Sequence, residues 1–191
     1  MIIKIDYLVK EKKICYYDQM EVSLLDASSI RIKSKRTTIV VDPQEKTPKT
    51  PADAILALSD SYSIAKIPDF RVVIKAPGDY EVGGVKISGI NPEGPTVFDM
   101  NVDGVELLLA RTSSMTKVTD KIEEAQVAIF NADAEINPAV VTALEPRIVV
   151  LYGEKAEEAA RALGKDTVEK VSRLSAVSGK LPEEMQVIIL K

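Results

Sequence analysis

The sequence predicts a single domain of the α+β class, or a layered α/β arrangement, and three observations carry that expectation. Short strand-like runs separated by Pro, Gly and Asn turns fill the chain up to about residue 116. Beyond that point helix-period segments alternate with apolar strands. The 191 residues, 46% of them hydrophobic, suffice for one sizeable core and hold neither an internal repeat nor a domain linker.

Taken in order, residues 2–9 (IIKIDYLV) and 13–17 (KICYY) read as two strands of a hairpin around the charged turn KEKK. Residues 21–25, 29–33 and 37–41 give three short strands, the last ending at Asp42-Pro43. The proline-rich stretch 43–52 (PQEKTPKTPA) reads as a loop. Residues 52–58 (ADAILAL) form a short buried segment that stops at SDSYS. Strands follow at 71–74, 80–87 and 96–101, and Gly83-Gly84 marks a tight hairpin turn rather than a phosphate loop. Residues 105–110 (VELLLA) and 127–130 (VAIF) are buried strands, with a short helix expected over 117–124 between them. Asn137-Pro138 opens a helix to about residue 144, since Asn caps and Pro suits the first helical position. A strand over 147–151, an amphipathic helix over 154–163 ended by Gly164, and strands over 168–177 and 186–190 complete the chain.

Composition excludes several chemistries. The chain has no histidine, which removes Ser-His-Asp and Cys-His catalysis along with the commonest zinc ligand. A single cysteine, Cys15, cannot make an intrachain disulfide and fits a reducing, cytoplasmic setting. Lys+Arg 25 against Asp+Glu 29 gives a net charge of -4, without the basic footprint of a nucleic-acid binder. The apolar runs fall short of the ~20 residues of a membrane span. Residues 1–13 carry their charges after the apolar stretch, the reverse of a secretory signal.

Five segments together resemble the metallo-β-lactamase-fold hydrolases, in particular the small subgroup similar to ascorbate-6-phosphate lactonases. Residues 20–43 resemble the opening strands that end in the first acidic motif, here Asp42. Residues 76–90 (APGDYEVGGVKISGI) resemble the subgroup's Pro-Gly-Glu-Tyr-Glu hairpin and are the most specific match. Residues 102–110 and 143–153 resemble the strands leading to the bridging aspartate and to the last histidine, and 181–190 the closing strand. The resemblance covers residues 20–191 and implies an αββα sandwich, with residues 1–19 as an extra N-terminal β-hairpin.

In that family a His-x-His-x-Asp-His motif follows a buried strand and converges on two metals. The resemblance places its two leading histidines at Ser59 and Ser61, its aspartate at Ser63 and its last histidine at Ile64. The bridging aspartate falls at or beside Thr112, and the final histidine at about Gly153. Hydroxyls are poor zinc ligands, and Ile and Gly offer none. The implied dinuclear site is therefore expected to be lost, with no metal or other cofactor.

Other candidates have plainer readings beside them. Asp42, Asp60, Asp69 and Asp79 are oxygen donors suited to magnesium or calcium, or else a turn cap and solvated loop residues. Ser59, Ser61, Ser63, Ser113 and Ser114 can bind a small polar or anionic ligand, or form solvated turns. Cys15, with no histidine to generate a thiolate, reads as packing. The basic turns 10–13 (KEKK) and 33–36 (KSKR) read as hairpin tips. Tyr7, Tyr16 and Tyr17 give the N-terminal hairpin an apolar face that packs on its own sandwich or on a second copy or protein partner. The expected function is a pseudo-hydrolase with a binding, scaffolding or oligomeric role. The alternative is a metal-independent or unusual-metal hydrolase for a small polar substrate at the remnant site.

Overall fold

The computed structural model describes residues 19–90, 95–117, 122 and 124–191. Most of the expected N-terminal extension, with Cys15 and the partner contact assigned to it, lies outside them, as does most of the 117–124 segment.

Two mixed sheets face each other. The first is built from β1 (Met20–Leu24), β2 (Ile30–Lys33), β3 (Thr38–Val41), β4 (Ala54–Leu56), β5 (Val72–Ile74) and β13 (Arg173–Ala176), in the order β13-β1-β2-β3-β4-β5. The second holds β6 (Gly78–Val82), β7 (Val85–Ile90), β8 (Val97–Val102), β9 (Val105–Arg111), β10 (Val127–Asn131), β11 (Ile148–Tyr152), β12 (Glu169–Val171) and β14 (Gln186–Leu190). Its order is β12-β14-β11-β10-β9-β8-β7-β6, parallel from β12 to β9 and antiparallel beyond.

Side-chain alternation decides what each face meets. Leu107 and Leu109 of β9 point between the sheets and pack with Ile129, Val150, Ile39 and Leu56. Leu108 and Ala110 point the other way and join Phe130, Val149 and Leu151 under the helices α1 (Pro138–Ala143) and α2 (Ala156–Ala162). Strands β10 and β11 are buried at every residue because both of their faces are covered. Strand β7 alternates buried with more exposed positions, since no helix lies on its outer face. Each fully buried Leu or Ile stabilises this arrangement by roughly 1.5–3 kcal/mol.

The helices form as the sequence predicts. The Asn137 side chain accepts the Ala139 N–H at 3.0 Å, and Pro138 stands at the first helical position. In α2 the small residues Ala156, Ala159 and Ala160 let the helix lie close on the sheet, and Gly164 follows it at φ +75°. No helix among the described residues is long and apolar enough to cross a membrane.

One expectation needs correction, that for residues 168–177. The α+β sandwich is as expected, and among the described residues both helices lie over the eight-stranded sheet. Ala52 and Ile67, on segments outside any helix or strand, cover Val40 and Ile55 on the other face. Prolines at 43, 48 and 51 deny this covering chain the amide donors a helix requires. The segment 168–177 is two strands in different sheets: β12 pairs with β14, and β13 pairs with β1. The break is at Ser172, whose carbonyl accepts the Leu24 N–H at 3.3 Å.

The β6–β7 turn is as expected, with Gly83 at φ +56° and Gly84 at φ +90°, as a two-residue hairpin demands. Gly83 also abuts the other sheet. A Cβ there would lie 2.0 Å from Thr37 Oγ1, a hydroxyl 3.0 Å from the Val82 carbonyl and 3.1 Å from that of Gly83.

Candidate functional site

The parallel strands of both sheets end on one edge of the sandwich, where an open-sheet fold characteristically places its ligands. Register explains what gathers there. In β9, β10 and β11 the residues 107, 127 and 148 form one row, and 109, 129 and 150 the next; both rows are apolar and point between the sheets. The third row is Arg111, Asn131 and Tyr152. It ends the core with polar side chains on the same face. Asp42, just past β3, faces them from the six-stranded sheet across a cleft of ≈410 Å³ that Arg111, Asn131, Ser61 and Gly153 also line.

Asp42 is 2% exposed and adopts the left-handed backbone at φ +43°. Its carbonyl accepts the Ser29 hydroxyl at 2.7 Å and the Gln44 amide at 3.1 Å, which hold this conformation. Its carboxylate accepts the Leu58 N–H at 2.8 Å, tying the end of β3 to the end of β4. Burial pushes the carboxyl pKa up to about 6, against the pull of the Leu58 and Ser59 amides and the Arg111 charge. Asp42 is thus a buried link rather than a solvated turn residue.

Asp133 is the hub of the opposite wall. It accepts Arg111 Nε at 2.8 Å, the Thr112 hydroxyl at 3.0 Å, and the Ser113 amide and hydroxyl at 3.1 and 2.7 Å. Partial burial acts to raise its pKa, but hydrogen bonds from Ser113, Arg111 and Thr112 outweigh that and bring it to about 2. Tyr152 is fully buried, and its hydroxyl makes no hydrogen bond of ordinary geometry. Burial and the Asp42 charge hold its pKa well above the usual value, so the phenol keeps its proton.

The sequence-derived positions separate here. Ser61 and Gly153 lie on the cleft. Ser59 contributes its backbone N–H to Asp42, while its hydroxyl donates to the Ser61 carbonyl at 3.3 Å. Thr112 is buried behind the wall, bonded to Asp133 and accepting the Ala134 N–H at 2.9 Å. Ser113 is held on Asp133, and Ser114 is buried with no partner for its hydroxyl. Ser63 turns to a neighbouring cavity beside Asp60 and Tyr62, and Ile64 is 47% exposed. Asp60, Asp69 and Asp79 are exposed and do not converge with Asp42. Among the described residues no three His, Cys, Asp or Glu gather to hold a metal ion.

A two-metal centre of the resembled family does not fit this mouth. Asp133 is occupied by four donors, and a fixed guanidinium charge stands beside it. The position of the final histidine is closed to any side chain: Gly153 sits at φ +95°, and a Cβ there would lie 2.6 Å from Asn131 Oδ1. Sequence reasoning missed Arg111, Asn131, Asp133 and Tyr152. The signal for three of them was present, because carrying the period-2 inward positions of the apolar strands forward reaches 111, 131 and 152.

No family model matches the chain, and no curated protein matches it. Solved structures do. One assigned as a Zn-dependent hydrolase of the metallo-β-lactamase superfamily, from Thermotoga maritima, superposes with a TM-score of 0.70 at 22% identity, covering 90% of this chain and 98% of that one. One assigned as a metal-dependent hydrolase, from Parabacteroides distasonis, gives 0.57 at 14% identity over 90% and 94% of the two chains. The metallo-β-lactamase fold protein YhfI from Bacillus subtilis gives 0.55 at 12% identity over 91% and 97%. These superpositions show that the chain, with its two facing mixed sheets, has the metallo-β-lactamase fold.

Proposed function

We propose that this protein is a pseudo-hydrolase: it keeps the frame of metal-dependent hydrolases and uses the cleft to bind a small polar molecule without metal chemistry. The observation that carries this reading is the Arg111–Asp133 pair at the strand mouths, a fixed cation and a saturated carboxylate in a chain without histidine. Metal analysis of protein purified without chelator tests it. The expected result is no stoichiometric zinc or iron, and a tightly bound ion in every chain overturns the reading. Assembly through the N-terminal segment belongs to the same proposal, and native mass spectrometry of the full chain tests that part.

A second reading, a metal-independent enzyme, is favoured by one observation. The cleft is open, and its wall holds a carboxyl whose pKa burial raises to about 6, a value suited to general acid–base work. The discriminating measurement is hydrolysis of small ester and lactone substrates across pH. An activity that follows Asp42 and disappears in Asp42→Asn selects the enzyme.

A further inference from the structure

The wall of the cleft holds a guanidinium with free hydrogen-bond donors. Arg111 commits Nε to Asp133, and its two terminal amino groups have no hydrogen-bond partner among the described residues. Arg111 lines the cleft and its side chain is partly exposed there, so this free edge belongs to the mouth. Asp133 beside it already receives four hydrogen bonds. A guanidinium edge left free in an open cleft can pair with two oxygens side by side. An incoming group that brings acceptor oxygens would meet this need.

Charge narrows the class. Among the described residues Arg111 is the single cation lining the cleft, and Asp42, Asp133 and Glu154 line it as well. A cation would gain from the carboxylates but would leave the donors unmet. A dianion would meet the donors but would feel the carboxylates twice as strongly as a monoanion does. A planar carboxylate carries one charge and presents two oxygens at the spacing of a guanidinium edge. The volume of ≈410 Å³ lies within the range of small-molecule sites.

Resting on the binding reading above, we propose that the cleft takes a small organic monocarboxylate, its carboxylate seated on the free edge of Arg111. A further negative charge in the mouth favours the protonated form of Asp42, beside which Arg111 and Tyr152 also stand. Binding is therefore accompanied by partial proton uptake, and affinity falls as pH rises through about 6.

The test is calorimetric titration of the purified full chain at matched ionic strength with sodium acetate, L-lactate and benzoate. Inorganic phosphate and methylammonium chloride serve as comparators. We expect saturable binding of at least one monocarboxylate, weakened roughly tenfold or more by Arg111→Lys, which keeps the charge but loses the fork. Equal affinity in wild type and variant, a preference for phosphate or methylammonium, or no saturable binding of any carboxylate overturns the proposal. If Arg111→Lys fails to fold, the wild-type pH series decides: affinity unchanged across pH 6 overturns it. Metal content measured on the same sample separates the failures. Bound zinc defeats the metal-free reading, whereas metal-free protein that binds no carboxylate defeats only this inference.

Discussion

Gly153 lies with its bare Cα against the Asn131 amide, so that any side chain at 153 would begin 2.6 Å from Asn131 Oδ1. The backbone at 153, φ +95°, is itself one that side chains disfavour. Gly153→His, which places an imidazole where the resembled family has one, is therefore expected to destabilise the protein by about 2 kcal/mol or more and to restore no zinc affinity. Urea midpoints and zinc titration check both halves. A stable, zinc-binding variant refutes the expectation.

Gly83→Ala should be costly for a different reason, because its Cβ would sit 2.0 Å from Thr37 Oγ1 and press the two sheets apart. A loss of about 1–3 kcal/mol is expected, with Gly84→Ala, which meets open space, costing less. The Thr37→Ser/Gly83→Ala pair should not relieve the clash, since serine keeps the oxygen. Thr37→Ala/Gly83→Ala should relieve part of it, as a double-mutant cycle would show.

The two cleft aspartates give stability opposite slopes with pH. Asp42, raised to about 6 from the ordinary 3.8, binds its proton more tightly folded than unfolded, so stability rises as pH falls from above 6 toward 4. The ceiling of this effect is about 3 kcal/mol. Asp133, lowered to about 2 from 3.8, contributes stability that is complete above 4 and lost as pH falls through 2. Considered alone, this pair places maximum stability at about pH 4. Denaturant unfolding at stepped pH should show the upper slope flattened in Asp42→Asn and the lower in Asp133→Asn.

Thr112→Val tests the wall from behind. The valine matches the threonine in shape but leaves the Ala134 N–H, now bonded to Thr112 Oγ1 at 2.9 Å, without that acceptor. A cost of about 1–3 kcal/mol is expected, together with an upward shift of the Asp133 pKa. Thermal unfolding and NMR titration of the carboxyl carbon measure the two effects. A valine variant as stable as wild type would show that Thr112 is dispensable to the wall.

Strand positions were legible because apolar residues with short turns between them leave few other readings, and β10 or β11 needs no more than its composition. Ser172 was not legible. The alternation slips by one residue at Ser172-Arg173, between Val171 and Leu174, and a period of two does not say which sheet receives a strand. Ser61 and Gly153, two of the positions named through the resemblance, line the cleft because they follow strand ends. It could not supply Arg111 or Asp133, because the ion pair spans 22 positions of sequence and becomes visible only when β9 and β10 lie in register.

The corner at Ser172 makes one continuous ribbon of chain the outermost strand of both sheets, β12 for one and β13 for the other. Fraying at this border cannot stay within a single sheet. Release of β13 from β1 pulls on β12 through one residue, so amide protons of 169–171 and 173–176 should exchange with matched kinetics despite belonging to separate hydrogen-bond ladders. The border acts as a shared hem, coupling the two layers of the sandwich by covalent continuity as well as by the core between them.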